Sequence, residues 1–296
     1  LKEAKRLQTK LAEASVEAAL SVTRNELGRR FHINSEQLDL AILGLGKLGG
    51  AGVDYDSDLD LVIVFVDKRS RPQAGMTPLE FYSKAAEIFT NTLSAITRDG
   101  SLYRVDLRLR PYGKDGSSVI SVESFEDYVR NTAVFWEMLA FVKLRGVGGD
   151  LVLARSVEDS IRRIIHERAA AVDPAELATE TRKIRKSLEK EKTELRRSRD
   201  IDIKFGAGGM LDIYFAIRFL QLRDNVPDTP DCRSTDDTLE KLHAAGSISS
   251  ENFELLSAGY QFLSKMDHSI RLTIGRSTRL PMANKTQLVL VAELVN

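Results

Sequence analysis

The chain has a single cysteine, Cys232, in 296 residues. That excludes an intrachain disulfide and a cysteine-based zinc site, and it fits a reducing, cytoplasmic setting. Histidine is almost as scarce. His32, His166, His243 and His268 stand far apart, none at ligand spacing from another, so no histidine zinc site is expected. Net charge is absent too, with 43 Lys+Arg balancing 43 Asp+Glu. This removes any global electrostatic case for nucleic acid or an anionic membrane. No apolar run approaches the roughly 20 residues that a membrane span requires, and no signal peptide opens the chain. There is no internal repeat.

What remains is a composition of 43% hydrophobic and 29% charged residues, that of a soluble globular protein with room for one large domain or two ordinary ones. The chain opens at Leu1 and stops within an apolar helical pattern at Val295-Asn296, and so reads as a piece of something longer.

The periodicity predicts an α+β first half and a helical second half. An amphipathic helix is expected over 1–31 on a stripe of Leu7, Leu11, Ala14, Ala18, Val22 and Leu27. His32-Ile33-Asn34-Ser35 breaks it. Strands are expected at 39–45 and 58–66, separated by a glycine turn, and residues 67–76 form a polar loop. Thr77 with Pro78 opens a helix to about Thr97. Asp99-Gly100 turns the chain into a third strand over 102–109. Short helices follow, through Tyr128 and from Val134 to Leu144. Gly146, Gly148 and Gly149 mark a boundary, which divides the chain into 1–148 and a helical bundle over 149–296. Helical patterns there cover 151–168, 174–198, 209–223, 235–245, 250–275 and 284–295. The charge-dense run 182–199 reads as a solvated helix face with i,i+4 pairs.

The chemistry concentrates in residues 39–66, where an apolar run ends in five glycines and Asp58-Leu59-Asp60 opens the next strand. Gly44-Leu45-Gly46-Lys47-Leu48-Gly49 matches the dinucleotide fingerprint, but that motif needs a helix and a crossover after the glycines. The seven residues from Ala51 to Ser57 are too few for one. A Walker loop fails as well, since neither Ser nor Thr follows Lys47.

The remaining pattern is a glycine turn, a short spacer, two carboxylates two residues apart on a strand, and a third acid later. On the third strand Tyr103, Val105, Leu107 and Leu109 alternate with Arg104, Asp106, Arg108 and Arg110, so one acid sits among three cations on one face. Asp58, Asp60 and Asp106 converging on one sheet face would supply the hard oxygen donors that two Mg²⁺ ions need. Gly46, Lys47, Gly49, Gly50, Ser57 and the arginines 104, 108 and 110 would hold a nucleotide triphosphate. Lys204, before a glycine turn and a helix start, is a further candidate phosphate ligand. Trp136 is expected in the core with Glu137 on the surface; the functional reading of their helix is that it backs the nucleotide pocket.

Gly46, the spacing to Asp58-x-Asp60 and the intervening Gly49-Gly50 resemble the nucleotidyltransferase superfamily that includes DNA polymerase beta. More narrowly, Gly46-Lys47-Leu48-Gly49-Gly50, Tyr55-x-Ser57-Asp58-Leu59-Asp60-Leu61 and Tyr103-Arg104-Val105-Asp106-Leu107-Arg108-Leu109-Arg110-Pro111 resemble the glutamine synthetase adenylyltransferase family. Phe125-Glu126-Asp127-Tyr128, Trp136-Glu137, Asp202-Ile203-Lys204 and Gly208-Gly209-Met210-Leu211-Asp212-Ile213 are similar to its other blocks, so the likeness covers about residues 10–281. The resemblance implies a polymerase-beta-like sheet in which Asp58, Asp60 and Asp106 bind Mg²⁺. It also implies a reaction that moves AMP from ATP to a tyrosine of glutamine synthetase, or removes it by phosphorolysis to give ADP. The signal protein PII and glutamine are implied as effectors. Asp202-Ile203-Lys204 with Asp212-Ile213, and Gly275-Arg276 before Arg279-Leu280-Pro281, lean toward transfer, which is the reading taken. Gly206-Ala207-Gly208-Gly209 and Arg110-Pro111-Tyr112-Gly113 lean toward removal. Tyr214 stands where the family usually carries Glu, and it supports a third alternative, a non-catalytic regulatory module of the same fold.

Overall fold

Helix α1 (Lys2–Phe31) buries Ala12, Val16, Ala19, Leu20 and Leu27, together with Thr9 and Thr23. The expected stripe is therefore rotated: Leu7, Leu11 and Val22 are exposed and only Leu27 is shared. The neighbours decide this. The inward face is rich in Ala and Thr, and a β-carbon on Gly148 would lie 2.6 Å from Val16 Cγ1. The helix thus rests closely on the glycine strand through Val16 and Leu20, and the face that carries them, with Ala12 and Ala19, turns inward in place of Leu7, Leu11 and Val22.

The structure, a computed structural model, describes residues 1–31, 38–67, 75–98, 100–194 and 200–295. The expected break at 32–35, most of the polar loop at 67–76, Asp99 and the end of the charged run at 195–199 lie outside them. The chain forms two compact units, Lys2–Ile165 and His166–Asn296, with Leu1 grouped with the second.

In the first unit α1 is followed by β1 (Leu40–Gly44), the single turn α2 (Gly46–Gly49), β2 (Leu59–Phe65) and α3 (Pro78–Leu93). Next come the small hairpin β3 (Ile96–Thr97) and β4 (Gly100–Ser101), then β5 (Val105–Asp106), β6 (Ile120–Ser121), α4 (Val122–Asn131), α5 (Phe135–Phe141), β7 (Arg145–Gly149) and α6 (Leu151–Ala170). The main sheet runs β5-β2-β1-β7, with β6 also paired to β2. The glycines at 146–149, expected at a boundary, are strand β7, paired antiparallel to β1; the division between the units falls inside α6 instead.

Leu40, Ile42, Leu59, Leu61, Ile63 and Phe65 alternate onto one sheet face, in one core with residues of α1 and α3. Ala41, Leu43, Val62 and Val64 on the opposite face are also buried, and so the strands read as continuous apolar runs. Each fully buried Leu or Ile here contributes roughly 1.5–3 kcal/mol. Thr77 caps α3 by accepting from the Glu80 amide while the Glu80 carboxylate accepts from the Thr77 amide, a capping box.

The second unit is helical, as its periodicity predicts: α7 (Pro174–Glu194), α8 (Met210–Arg223), α9 (Thr235–Ala244), α10 (Ser250–Thr273) and α11 (Lys285–Val295), with one small ladder between β8 (Ile201–Asp202) and β9 (Arg279–Leu280). Tyr214 packs beside Tyr260, ring centroids 6.2 Å apart, against the core of Met210, Ile213, Ile217 and Leu239. No helix among the described residues is long and apolar enough to cross a membrane.

Candidate active site

After β1 the chain closes one helical turn and comes back as β2, antiparallel to β1, with Leu43 opposite Val62 and Gly44 opposite Leu61. No crossover exists, so the dinucleotide arrangement is ruled out by topology as well as by spacer length. The Leu45 amide donates to the Asp60 carbonyl at 2.9 Å, tying the glycine turn to the acid-bearing strand.

On the other side of β2, β5 runs parallel, with Leu59 opposite Val105 and Asp60 opposite Asp106. Register partners on adjacent strands project from the same face, about 4.8 Å apart along the sheet. Asp60 and Asp106, 46 positions apart in the chain, are therefore side by side.

The spacer is a tight turn. The Ser57 amide donates to the Asp54 carbonyl at 3.1 Å, and the Asp54 amide donates to Ser57 Oγ at 3.1 Å. Asp56 adopts the left-handed conformation with φ +51°, one that Asp tolerates better than most residues. Asp54 and Ser57 are buried. Arg104 lies across the turn, with one guanidinium nitrogen 2.6 Å from Asp56 Oδ1 and Nε 3.1 Å from Asp58 Oδ1. The Arg104 carbonyl accepts from the Leu59 amide at 2.9 Å, so this arginine is fixed to β2 by backbone as well as side chain.

The third strand is far shorter than the alternation predicts: only Val105 and Asp106 pair as strand. The cause is Asp106 itself. Its Oδ1 accepts from the Arg108 backbone amide at 2.8 Å, a side-chain-closed turn that ends the ladder. Arg108 and Arg110 consequently do not line a strand face with Arg104. Arg108 folds back over Asp106, its Nε 3.0 Å from Oδ1 and 2.9 Å from Oδ2. Arg110 holds its own loop, donating to the carbonyls of Leu107 at 2.8 Å and Gly116 at 2.9 Å.

The electrostatics agree with this geometry. Burial works to raise the Asp106 pKa. It is outweighed by the side-chain and backbone hydrogen bonds from Arg108 and by the charges of Arg108 and Arg110, so the carboxyl is held below its usual range. Arg108 is raised by its hydrogen bond to Asp106 and by that residue's charge, and Asp60 and Asp58 add to the effect. Arg108 thus contacts Asp106 directly and feels the charges of Asp60 and Asp58.

In kind, the donor set fits a hard divalent cation: carboxylate oxygens on adjacent strands, two of them in register. Gly46 adds to the fit. It has φ +54°, and a β-carbon there would meet Asp60 Oδ2 at 2.2 Å, so the turn folds tightly around that carboxylate only as glycine. As the side chains stand, no group of three His, Cys, Asp or Glu among the described residues is arranged as a metal cage. Arg104 and Arg108 hold Asp58 and Asp106.

The amides of Gly49 and Gly50 donate to Leu45 and Gly46 within the turn, at 2.9 and 3.1 Å. Lys47 lies within α2. Lys204 belongs to the second unit; its Nζ lies 5.2 Å from the centroid of the Phe205 ring, and its amide donates to Asp202 Oδ1 at 3.0 Å.

Sequence reasoning passed over several residues that organise these regions. Asp54 and Asp56 precede Asp58 and Asp60 at the same spacing of two, a run that could have flagged Asp56 as part of the site. Trp136 and Glu137 are reversed from expectation: Trp136 is 43% exposed and Glu137 only 5%. Glu137 is drawn inward because its carboxylate accepts from the Val134 amide at 2.9 Å at the start of α5 and from Tyr128 Oη at 2.6 Å. Burial, then this bond, pushes the Tyr128 hydroxyl up to about 12. Within the charged run, Arg185 and Glu189 lie 3.4 Å apart at the expected i,i+4 spacing, and Lys183 reaches back three residues to Glu180 at 3.4 Å. Arg185 itself is buried, 2.7 Å from Asp212 Oδ1 and 2.8 Å from the Gly206 carbonyl.

The first unit is thus an α+β unit with two carboxylates in register on adjacent strands, beside a glycine turn and two arginines. Residues 1–160 match the family model of glutamate-ammonia ligase adenylyltransferase, and residues 180–295 match that of GlnD PII-uridylyltransferase. The chain belongs to the glutamate-ammonia ligase adenylyltransferase family. It is 32% identical over 282 residues to a bifunctional glutamine synthetase adenylyltransferase/adenylyl-removing enzyme of Methylococcus capsulatus, which covers 93% of this chain and 29% of the relative. Enzymes of the same description from Bartonella quintana and Brucella suis are 34% identical over 215 residues and 31% over 274, covering 71% and 91% of this chain and 21% and 27% of the relatives. The chain thus spans under a third of the length of these relatives.

Proposed function

We propose that this chain carries a Mg²⁺-dependent nucleotidyltransferase site, of polymerase-beta-like fold, that transfers AMP from ATP to a tyrosine of glutamine synthetase in the cytoplasm. The observation that carries the reading is the register pairing of Asp60 with Asp106, with Arg108 on Asp106 and Arg104 on Asp58. Family membership and the names of the relatives support the reaction and its protein substrate.

Asp58, Asp60 and Asp106 would hold the metal, which when bound polarises phosphoryl oxygens and neutralises developing charge. The chain's own residues do the rest. Gly46 keeps the turn close to Asp60. Arg104, Arg108 and Lys47 supply cations for the phosphates, and Arg110 shapes the loop that presents Arg108. In the transfer, the tyrosine oxygen bonds to the α-phosphorus, the α–β anhydride breaks and pyrophosphate leaves.

The relatives are named for adenylyl removal as well as transfer. The second reading is therefore removal at the same site: phosphate attacks the tyrosyl-AMP phosphorus, the tyrosine O–P bond breaks, the tyrosine oxygen leaves and takes up a proton, and ADP is formed. For the helical unit, the likeness of 180–295 to the PII-uridylyltransferase model supports PII as an effector; glutamine is proposed beside it from the family resemblance alone.

The test incubates the chain with unmodified synthetase and Mg-ATP, and separately with adenylylated synthetase and phosphate. Whichever substrate changes gives the direction. Asp58→Asn and Asp60→Asn should each abolish the change with far-UV circular dichroism unaltered. Activity retained in both would sink the mechanism, and nucleotide binding without any turnover would favour a non-catalytic module.

A further inference from the structure

The carboxylates of the site are already occupied, and by side chains of the chain itself. Arg108 covers both oxygens of Asp106 through Nε, at 3.0 and 2.9 Å. Arg104 bridges Asp56 and Asp58 at 2.6 and 3.1 Å. Four aspartates on one turn and two strands would repel one another without cations, and the two guanidinium groups provide them. A metal ion therefore meets a site whose oxygens are turned onto arginine.

Both arginines are half or more exposed, with side-chain accessibilities of 50% for Arg104 and 69% for Arg108. They are held by short, screened ion pairs, not by packing, and such pairs release at little cost. Arg108 is the more exposed of the two, and the Arg108 amide keeps its bond to Asp106 whichever way the guanidinium points. The backbone turn thus survives the side chain's departure. Arg104 is anchored through its carbonyl to Leu59 and stays with β2.

We propose that Arg108 is a placeholder cation: in the nucleotide-free chain its guanidinium stands where a divalent ion would engage Asp106, and it moves onto the incoming phosphates when metal and nucleotide bind together. This rests on the proposed function and adds a coupling to it. The metal alone must displace the arginine into solvent, whereas metal with nucleotide gives that arginine a phosphate partner of its own. Binding of the two ligands becomes mutually supportive, by the same factor in either order.

The experiment measures Mn²⁺ binding to the full 296-residue chain by the electron paramagnetic resonance signal of free Mn²⁺, alone and with a non-hydrolysable ATP analogue. It is run on wild type, Arg108→Ala, Arg108→Lys and Asp60→Asn. Arg108→Ala should bind Mn²⁺ alone about threefold more tightly than wild type, the scale of a lost exposed ion pair, and the nucleotide should tighten Mn²⁺ binding less than in wild type once the Mn²⁺ held by the free analogue is subtracted. Arg108→Lys should keep part of the coupling, and its near-native circular dichroism would show that the turn is intact. Equal Mn²⁺ affinity in wild type and Arg108→Ala, with coupling retained, overturns the placeholder and leaves the proposed function standing. Mn²⁺ binding that is absent in every variant, or unchanged in Asp60→Asn, overturns the metal reading itself and the placeholder with it.

Discussion

A β-carbon on Gly46 would lie 2.2 Å from Oδ2 of Asp60. The glycine turn and the acid strand are therefore one object. The turn's left-handed residue is defined by the carboxylate it covers, and the carboxylate's surroundings by a missing side chain.

Gly46→Ala should accordingly strike twice. The left-handed φ of +54° costs an alanine about 1–2 kcal/mol, and the methyl must push the Asp60 carboxylate aside. Urea denaturation should show the stability loss. Mg-ATP titration should show weakened binding even at temperatures where the variant is fully folded.

Asp106 sets an acid limit. Its pKa is lower folded than unfolded. Its contribution to stability is therefore present above the ordinary aspartate value of about 3.9 and is lost as pH falls through that value toward the folded one. Arg108→Ala removes the bonds that cause the depression. The drop in stability between pH 6 and pH 3, read by denaturant unfolding at each pH, should be smaller in that variant than in wild type.

Tyr128 and Glu137 set an alkaline limit. The Tyr128 hydroxyl is raised to about 12 from about 10. The stability linked to its protonated form is full below pH 10 and is lost as pH rises through 12. Tyr128→Phe should flatten that alkaline loss. It should also cost about 1–3 kcal/mol at neutral pH, because a buried carboxylate oxygen loses its partner. Thermal melts at pH 7 and pH 11 would measure both effects.

Arg185→Ala tests the helical unit. The buried guanidinium joins α7 to the Gly206 carbonyl and to Asp212 at the head of α8. Its removal takes one of two donors from the part-buried Gly206 carbonyl, which keeps the Gly209 amide, and should destabilise the unit by about 1 kcal/mol. The change should appear in the unfolding of this unit while Mn²⁺ binding to the first unit is unaffected.

Much of the frame was legible in the residues. The helices of the second half begin and end within a few residues of their periodic patterns, since apolar period and capping residues are local signals. The antiparallel return of β2 followed from a spacer too short for a crossover. Other features were not legible because they depend on what lies across the fold. The Leu7–Leu11–Val22 stripe of α1 yields to the face carrying Val16 and Leu20 because glycine-rich β7 lies beneath it. Glu137 goes inward because Tyr128 and the Val134 amide meet it there. The expected eight-residue strand shrinks to Val105-Asp106 because the Asp106 carboxylate captures the Arg108 amide.

The sequence by itself determined the chemical inventory: three aspartates, a glycine turn and flanking arginines, in an order that marks the family. Only the tertiary structure decided how they meet. Strand register, a property of backbone hydrogen bonds between distant segments, sets Asp60 beside Asp106. The Arg108–Asp106 contact is local, two residues apart, but Arg104 reaches Asp56 and Asp58 across the fold, and no spacing along the chain contains that pairing.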